Sequence, residues 1–416
     1  MISRTINDKQ ILCKTETDLS VYLLVVFLTI SPALSFLSSY GISTIISYVL
    51  IALLLYTPLI IGLVTRKIEL NKTCVLLFIA IFVYVLICSK KLTAFEDVYL
   101  SETNGVFSRI LTFTSSIFGL LFFGIKFSPT SFKKGIKIAS YINVIISFFR
   151  FILVTIRGNE FLTYGYDMNF GYTLLFPLLC FLSLYAIERK KTYLIISLIS
   201  FFFILFFGSR GPILCVVIYS FLLFFFVILK RITPAKRALI IFLAALLVFI
   251  GVIFFLLVVP LLDLSSLPRS LRYILSTGYF TSSTDSGRRI IVDDLSPYLY
   301  NIPLFGYGLL ADQGFLGIGK YSHNILLEMW ITFGPILSIS FIFLILLLTF
   351  KVLFNKHIDI TFKVYFIALW SFSFGRLIVS NSFWYETYFW CLIAFGLCII
   401  SKKNSNEKFK QKEFRI

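Results

Sequence analysis

Two histidines occur in 416 residues, His323 and His357. Imidazole is the side chain whose unperturbed proton affinity lies near neutrality, so it is the first choice for a general base. His357 falls in a short basic connection, whereas His323 ends a long polar segment, 261–324, and is the candidate base. That segment also holds the neighbours Arg288 and Arg289. On a helix Arg289 faces Asp293 at i+4 and Asp285 at i−4, which gives it a structural use. Arg288 has Asp285 at i−3 and no acid at i+4, so it is freer to hold a ligand. Glu328 lies five positions after His323, about 140° away on a helix, so the two form no local dyad.

Three further arginines, Arg150, Arg210 and Arg376, fall inside or at the ends of apolar segments. An arginine in a membrane segment costs about 2.5–3.5 kcal/mol on insertion scales and usually faces a bundle interior or a wet cavity. A guanidinium fork pairs with phosphate oxygens two at a time. Arginines converging on one outward cavity would therefore suit an anion, a pyrophosphate above all, with Arg150, Arg289 and Arg376 as candidate binding residues. No metal or cofactor is expected. The seven cysteines include no CxxC pair, six of them fall in apolar segments as packing residues, and the outer face carries no DxD-like carboxylate pair.

The elements that must position these residues are apolar helices. The chain is 59% hydrophobic and only 14% charged, with a mean hydropathy of +0.95; soluble domains carry about 25% charged residues. A spanning helix takes about 20 apolar residues, and twelve segments qualify. They run near 19–39, 42–64, 73–89, 106–125, 136–156, 170–187, 192–208, 212–229, 238–260, 325–350, 361–379 and 384–400. The expected fold is thus an all-α polytopic membrane protein, one integral-membrane domain over 1–416. A single long outward loop, 261–324, joins helices 9 and 10.

Charge supports this count. Alternate sides collect 26 and 12 of the 38 Lys+Arg, and the 20 acids divide as 8 and 12. One face carries net +18 and the other zero, which puts both termini in the cytoplasm by the positive-inside rule. The acids Asp8, Glu16 and Asp18 argue against a cleaved signal peptide and for an uncleaved first helix. A nucleic-acid partner is excluded despite the net charge; the basic tail from Lys402 to Arg415 meets anionic membrane lipid instead. Within the loop, Ile291, Leu295 and Tyr298 recur at helical spacing behind a cap at Thr284 or Asp285, so an amphipathic helix is expected, ended or kinked by Pro297.

Four short motifs in order, Gly208-Ser209-Arg210-Gly211, Ser286-Gly287-Arg288, Pro303-Leu304-Phe305-Gly306-Tyr307-Gly308 and Ser322-His323-Asn324, resemble the O-antigen ligase/polymerase superfamily, most closely over about 200–340. The resemblance implies a metal-independent, inverting glycosyltransferase on the outer side of the bacterial cytoplasmic membrane. Its donor would be an oligosaccharide on undecaprenyl pyrophosphate. Arg210 and Arg288 would hold the pyrophosphate, and His323 would deprotonate the acceptor hydroxyl. A chain-length regulator is a further partner that such a reading admits. Ligases of the family often carry a second histidine two positions before the one matching His323; here that place is Tyr321, which tilts the resemblance toward a Wzy-type polymerase of O-antigen or capsule. The rival from another class is a flippase of lipid-linked oligosaccharide. It would need repeated broken helices and ionisable groups in the inner halves of the spans; the sequence shows no such pairing of helices and almost no such groups.

Overall fold

The computed structural model describes residues 19–30, 32–34, 44–89, 116–156, 168–207, 210–229, 288–317 and 321–413, with Thr233 and Lys236. Among these residues it is helical, and the one β-type pairing is an isolated bridge between Leu70 and Ile125. In chain order the helices are α1 (Leu19–Leu34), α2 (Thr44–Ile51), α3 (Thr57–Val64), α4 (Lys72–Ser89), α5 (Gly119–Phe122), α6 (Pro129–Ile156) and α7 (Met168–Glu188). They continue as α8 (Lys191–Phe207), α9 (Arg210–Leu223), α10 (Arg288–Tyr300), α11 (Ala311–Leu316), α12 (Ile325–Phe354), α13 (Ile360–Val379) and α14 (Thr387–Glu413). A π turn, Ala52–Tyr56, joins α2 to α3, and a second, Phe224–Ile228, extends α9.

Five of these are long and apolar enough to cross a membrane, within α6, α7, α9, α12 and α13, and α1, α2–α3, α4, α8 and α14 supply shorter apolar stretches. Ten of the twelve expected spans thus have a helix. The ninth, 238–260, lies outside the described residues, as do 261–287 of the loop and both chain ends. Of the fourth, 106–125, only its end is described, and this holds the short α5.

The most apolar helices are not amphipathic, because they face hydrocarbon on one side and protein on the other. α12 exposes Leu337, Ile339, Phe343, Leu344 and Phe350, a surface suited to lipid. α13 is the centre. It is buried along most of its length and carries small residues, Ala368, Ser371, Ser373 and Gly375, where neighbours press in. A Cβ on Gly375 would fall 2.5 Å from Cys215 Sγ and 3.1 Å from its Cα, so the glycine is what lets α9 lie against α13. The buried serines spend their hydroxyls on their own helix: Ser371 donates to the Ile367 carbonyl and Ser373 to that of Leu369. Cys74, Cys180, Cys215 and Cys391 are buried and free, in keeping with a packing use.

α12 is broken at Gly334 (φ +72°), just before Pro335. Thirty residues of helix would span about 45 Å, against an apolar core of about 30 Å. The break leaves 335–354 as the stretch of spanning length and sets 325–333 aside as a short segment at one end. Pro335 has no N–H, so the Ile331 carbonyl has no intrahelical donor. The Pro303–Gly308 motif meets that need: Tyr307 N donates to Ile331 O (2.9 Å) and Gly308 N to Thr332 O (3.1 Å). Gly306, also at positive φ (+73°), lies against Gly334 so closely that a Cβ on either would strike the other's backbone.

α10 is a helix within the segment 261–324, with one apolar side packed. Leu295 is fully buried, with Ile291 and Leu299 beside it, against Ala311, Leu316 and Ile331, and Tyr298 stacks on Phe315 at 3.7 Å. Of the two outcomes expected at Pro297, a kink or an end, the helix does not end there and continues to Tyr300. The carbonyl of Asp293, deprived of the Pro297 N–H, is served by the Ser296 hydroxyl at 2.8 Å.

Candidate functional site

His323 sits in the turn between α11 and α12 with a left-handed backbone (φ +52°). Histidine is one of the few residues found there without glycine's freedom, and the turn needs bracing to hold it. Asp312, at the start of α11 and fully buried, accepts the Ser322 N–H at 3.0 Å. On the other side Asn324 caps α12, its Oδ1 accepting from Leu326 N and Leu327 N. The His323 ring lies on the Tyr321 ring with centroids 3.9 Å apart. Burial raises the Asp312 carboxyl above its ordinary range, opposed by its hydrogen bonds from Ser322 and the Gln313 N–H.

Glu328 does not partner His323, in line with the helical geometry. It is buried and accepts from the Ser382 hydroxyl and from Phe383 N (3.0 Å), tying the first turns of α12 to the α13–α14 connection. That connection carries the next link. Tyr321 OH donates to the Ser380 carbonyl (2.8 Å), and the Ser380 hydroxyl pairs with Tyr172 OH of α7 (2.6 Å). The Arg376 guanidinium lies 4.6 Å above the Tyr172 ring. A continuous set of contacts therefore runs from His323 to Arg376.

Arg376 also makes an ion pair with Glu386 (3.0 Å). Glu386 is buried, accepts from Asn381 Nδ2 (2.8 Å) and receives Tyr388 N at the start of α14 (3.3 Å). The arginine flagged for its membrane cost is thus charge-matched and braces the α13–α14 turn. Arg150 of α6 lies on the wall of the same cavity as Arg376, Tyr172 and Tyr388.

Arg210 is the first residue of α9, while Gly208 and Ser209 lie outside the described residues. Its neighbour Gly211 is pressed onto the Tyr172 hydroxyl and Val379, leaving no room for a Cβ. This approach brings the start of α9 to the layer that holds Tyr172 and Ser380. Arg288 and Arg289 open α10; Gly287, Ser286 and the cap candidates Thr284 and Asp285 lie outside the described residues. The structure thus gathers Arg376, Arg150, the start of α9 and His323, and packs α10 on α11, whose Asp312 holds the His323 turn. Among the described residues no cluster of three or more His, Cys, Asp or Glu could hold a metal ion.

Residues 195–342 match the family model of O-antigen ligase. The match covers about a third of the chain and contains all four motifs, and it supports the O-antigen ligase/polymerase superfamily. It points to a ligase-like or glycosyltransferase-like enzyme, and with the apolar helices to a multi-pass protein of the inner membrane. No curated protein and no solved structure matches the chain. Within the O-antigen ligase match the sequence reading missed Asp312 and Glu328 as braces, and outside it Tyr172, Ser380 and Glu386. Glu386 left a signal, since an acid beside an apolar segment ten residues from Arg376 invites pairing. Asp312 left none.

Proposed function

We propose that this protein is a membrane glycosyltransferase that polymerises oligosaccharide repeat units carried on undecaprenyl pyrophosphate, on the outer side of the cytoplasmic membrane. The observation that carries the reading is the one set of contacts linking His323, Tyr321, Ser380, Tyr172 and Arg376 at the end of the bundle where α9 starts, inside and beside the O-antigen ligase match. His323 takes the proton from the acceptor hydroxyl, which attacks the anomeric carbon from the face opposite the leaving pyrophosphate. Arg210 and Arg288 stabilise the charge that gathers on that leaving group. Confining both substrates to one membrane leaves the site only to align them.

Transfer to a lipid A core, the ligase reaction, is the second reading, and the match to an O-antigen ligase family favours it. Tyr321 favours polymerisation: the position where family ligases often place a second histidine carries a phenol bonded to the Ser380 carbonyl. A gel of surface glycan from cells with the gene deleted and then restored separates the two. Polymerase loss collapses the ladder to one repeat unit on the core. Ligase loss leaves a bare core while lipid-linked polymer accumulates. An unchanged ladder overturns both.

A further inference from the structure

Between α1, α6, α7, α13 and α14 lies a cavity of about 270 Å³. That is room enough for a sugar ring or a diphosphate. Among the described residues, two polar atoms of its lining have no hydrogen-bond partner, Asn143 Oδ1 and Arg376 Nε. Asn143 is buried in the middle of α6, and its Nδ2 donates to the Leu28 carbonyl of α1 at 3.1 Å. Only the amide nitrogen can serve a carbonyl, so the orientation is fixed and Oδ1 remains an acceptor.

That chemistry discriminates. An ionised diphosphate has no proton to give Asn143 and would meet it oxygen against oxygen. The charge of Arg376 is already matched by Glu386. Sugar hydroxyls both donate and accept, so one ring can offer a donor to Asn143 Oδ1 and an acceptor to Arg376 Nε. The aromatic walls, Phe372 and Tyr388 among them, suit the C–H surface of a ring.

We propose that this cavity is a subsite for one uncharged sugar ring of the lipid-linked glycan, with Asn143 as the residue that accepts one of its hydroxyls. The proposal rests on the glycosyltransferase reading and divides the labour: the diphosphate belongs to Arg210 and Arg288, the ring to Asn143 and Arg376. Tyr172, shared between the cavity wall and the Ser380–Tyr321–His323 contacts, joins the two parts.

The test is a titration of the purified full-length protein in detergent with the repeat-unit oligosaccharide released from its lipid, followed by the unfolding temperature. The wild type is stabilised by the sugar. Asn143→Leu binds it about fivefold more weakly, the worth of one neutral hydrogen bond. Asn143→Ala removes the same acceptor with less bulk and keeps the test open if the leucine variant misfolds. Wild-type affinity in both variants, no binding by the wild type, or displacement of the sugar by inorganic pyrophosphate each overturns the proposal. Glycan extension in Arg288→Ala cells reports separately on the underlying reading: an unimpaired ladder there removes the diphosphate clamp while leaving Asn143-dependent sugar binding intact.

Discussion

At the residue scale the decisive question for each arginine is whether its charge is already matched. Arg376 is paired with a buried acid, so truncating either partner leaves an uncompensated charge. Glu386→Gln should lower stability by about 3 kcal/mol or more, read as a fall in unfolding temperature in detergent, and Arg376→Met in that background should recover part of it. A neutral Glu386→Gln would mean that the pair is idle. The arginines at helix starts belong to a different class. Arg210→Ala and Arg288→Ala, like His323→Ala, should abolish glycan extension at normal membrane abundance, with Arg288→Lys only partly active because a point charge lacks the planar fork. Arg289→Ala should be milder, since its register meets Asp293; a ladder hurt more by it than by Arg288→Ala reverses the assignment. Asp312 adds a pH dependence. Its carboxyl is raised by burial, so the folded state binds the proton more tightly than the unfolded chain. Its contribution is fully present below the ordinary aspartate range, and is lost as pH rises through the raised value. Asp312→Asn keeps an oxygen for the Ser322 N–H and should flatten that loss above the ordinary range. Unchanged pH dependence of the unfolding temperature would show that Asp312 is not the group responsible.

At the scale of elements, the Pro303–Gly308 motif and the broken α12 form one device. Proline removes a donor, glycine opens the turn, and a loop backbone supplies the missing hydrogen bonds. Gly306→Ala or Gly334→Ala puts a Cβ into the facing backbone at a positive φ. Each should cost about 1–3 kcal/mol and reduce glycan extension through the displaced α10–α12 layer; normal stability in both would show that the close approach is not needed. The motif was legible in the sequence as a resemblance, but its partner was not. Nothing in Pro303–Gly308 says which carbonyls it serves, because the need arises thirty residues later at Pro335. α10 was legible because Ile291 and Leu295 repeat at helical spacing. Its continuation past Pro297 was not legible, because the remedy is a single hydroxyl, Ser296, that periodicity does not register.

For the whole molecule, the sequence carried most of the bundle, since spans are selected by an apolar length that the bilayer fixes. It could not supply the packing order, in which α13 is central and α12 peripheral, because helices apolar on every side give no sign of which face meets protein. Orientation is the property that still rests on charge alone. The Lys+Arg excess assigns the side bearing Lys356 and His357 to the cytoplasm, and the loop with Phe305 to the outside. Both positions are exposed: Phe305 on the Pro303–Gly308 turn, Lys356 between α12 and α13. Lys356→Cys and Phe305→Cys, each placed in a chain whose native cysteines are replaced by serine or alanine, test the arrangement with a membrane-impermeant maleimide. Cys at 305 should react in spheroplasts, whereas Cys at 356 should react only after the membrane is opened. The reverse pattern would put His323 and the arginine-bearing ends of α9 and α10 in the cytoplasm, where a glycan already flipped to the outer leaflet could not reach them, and the glycosyltransferase reading would fall with the topology.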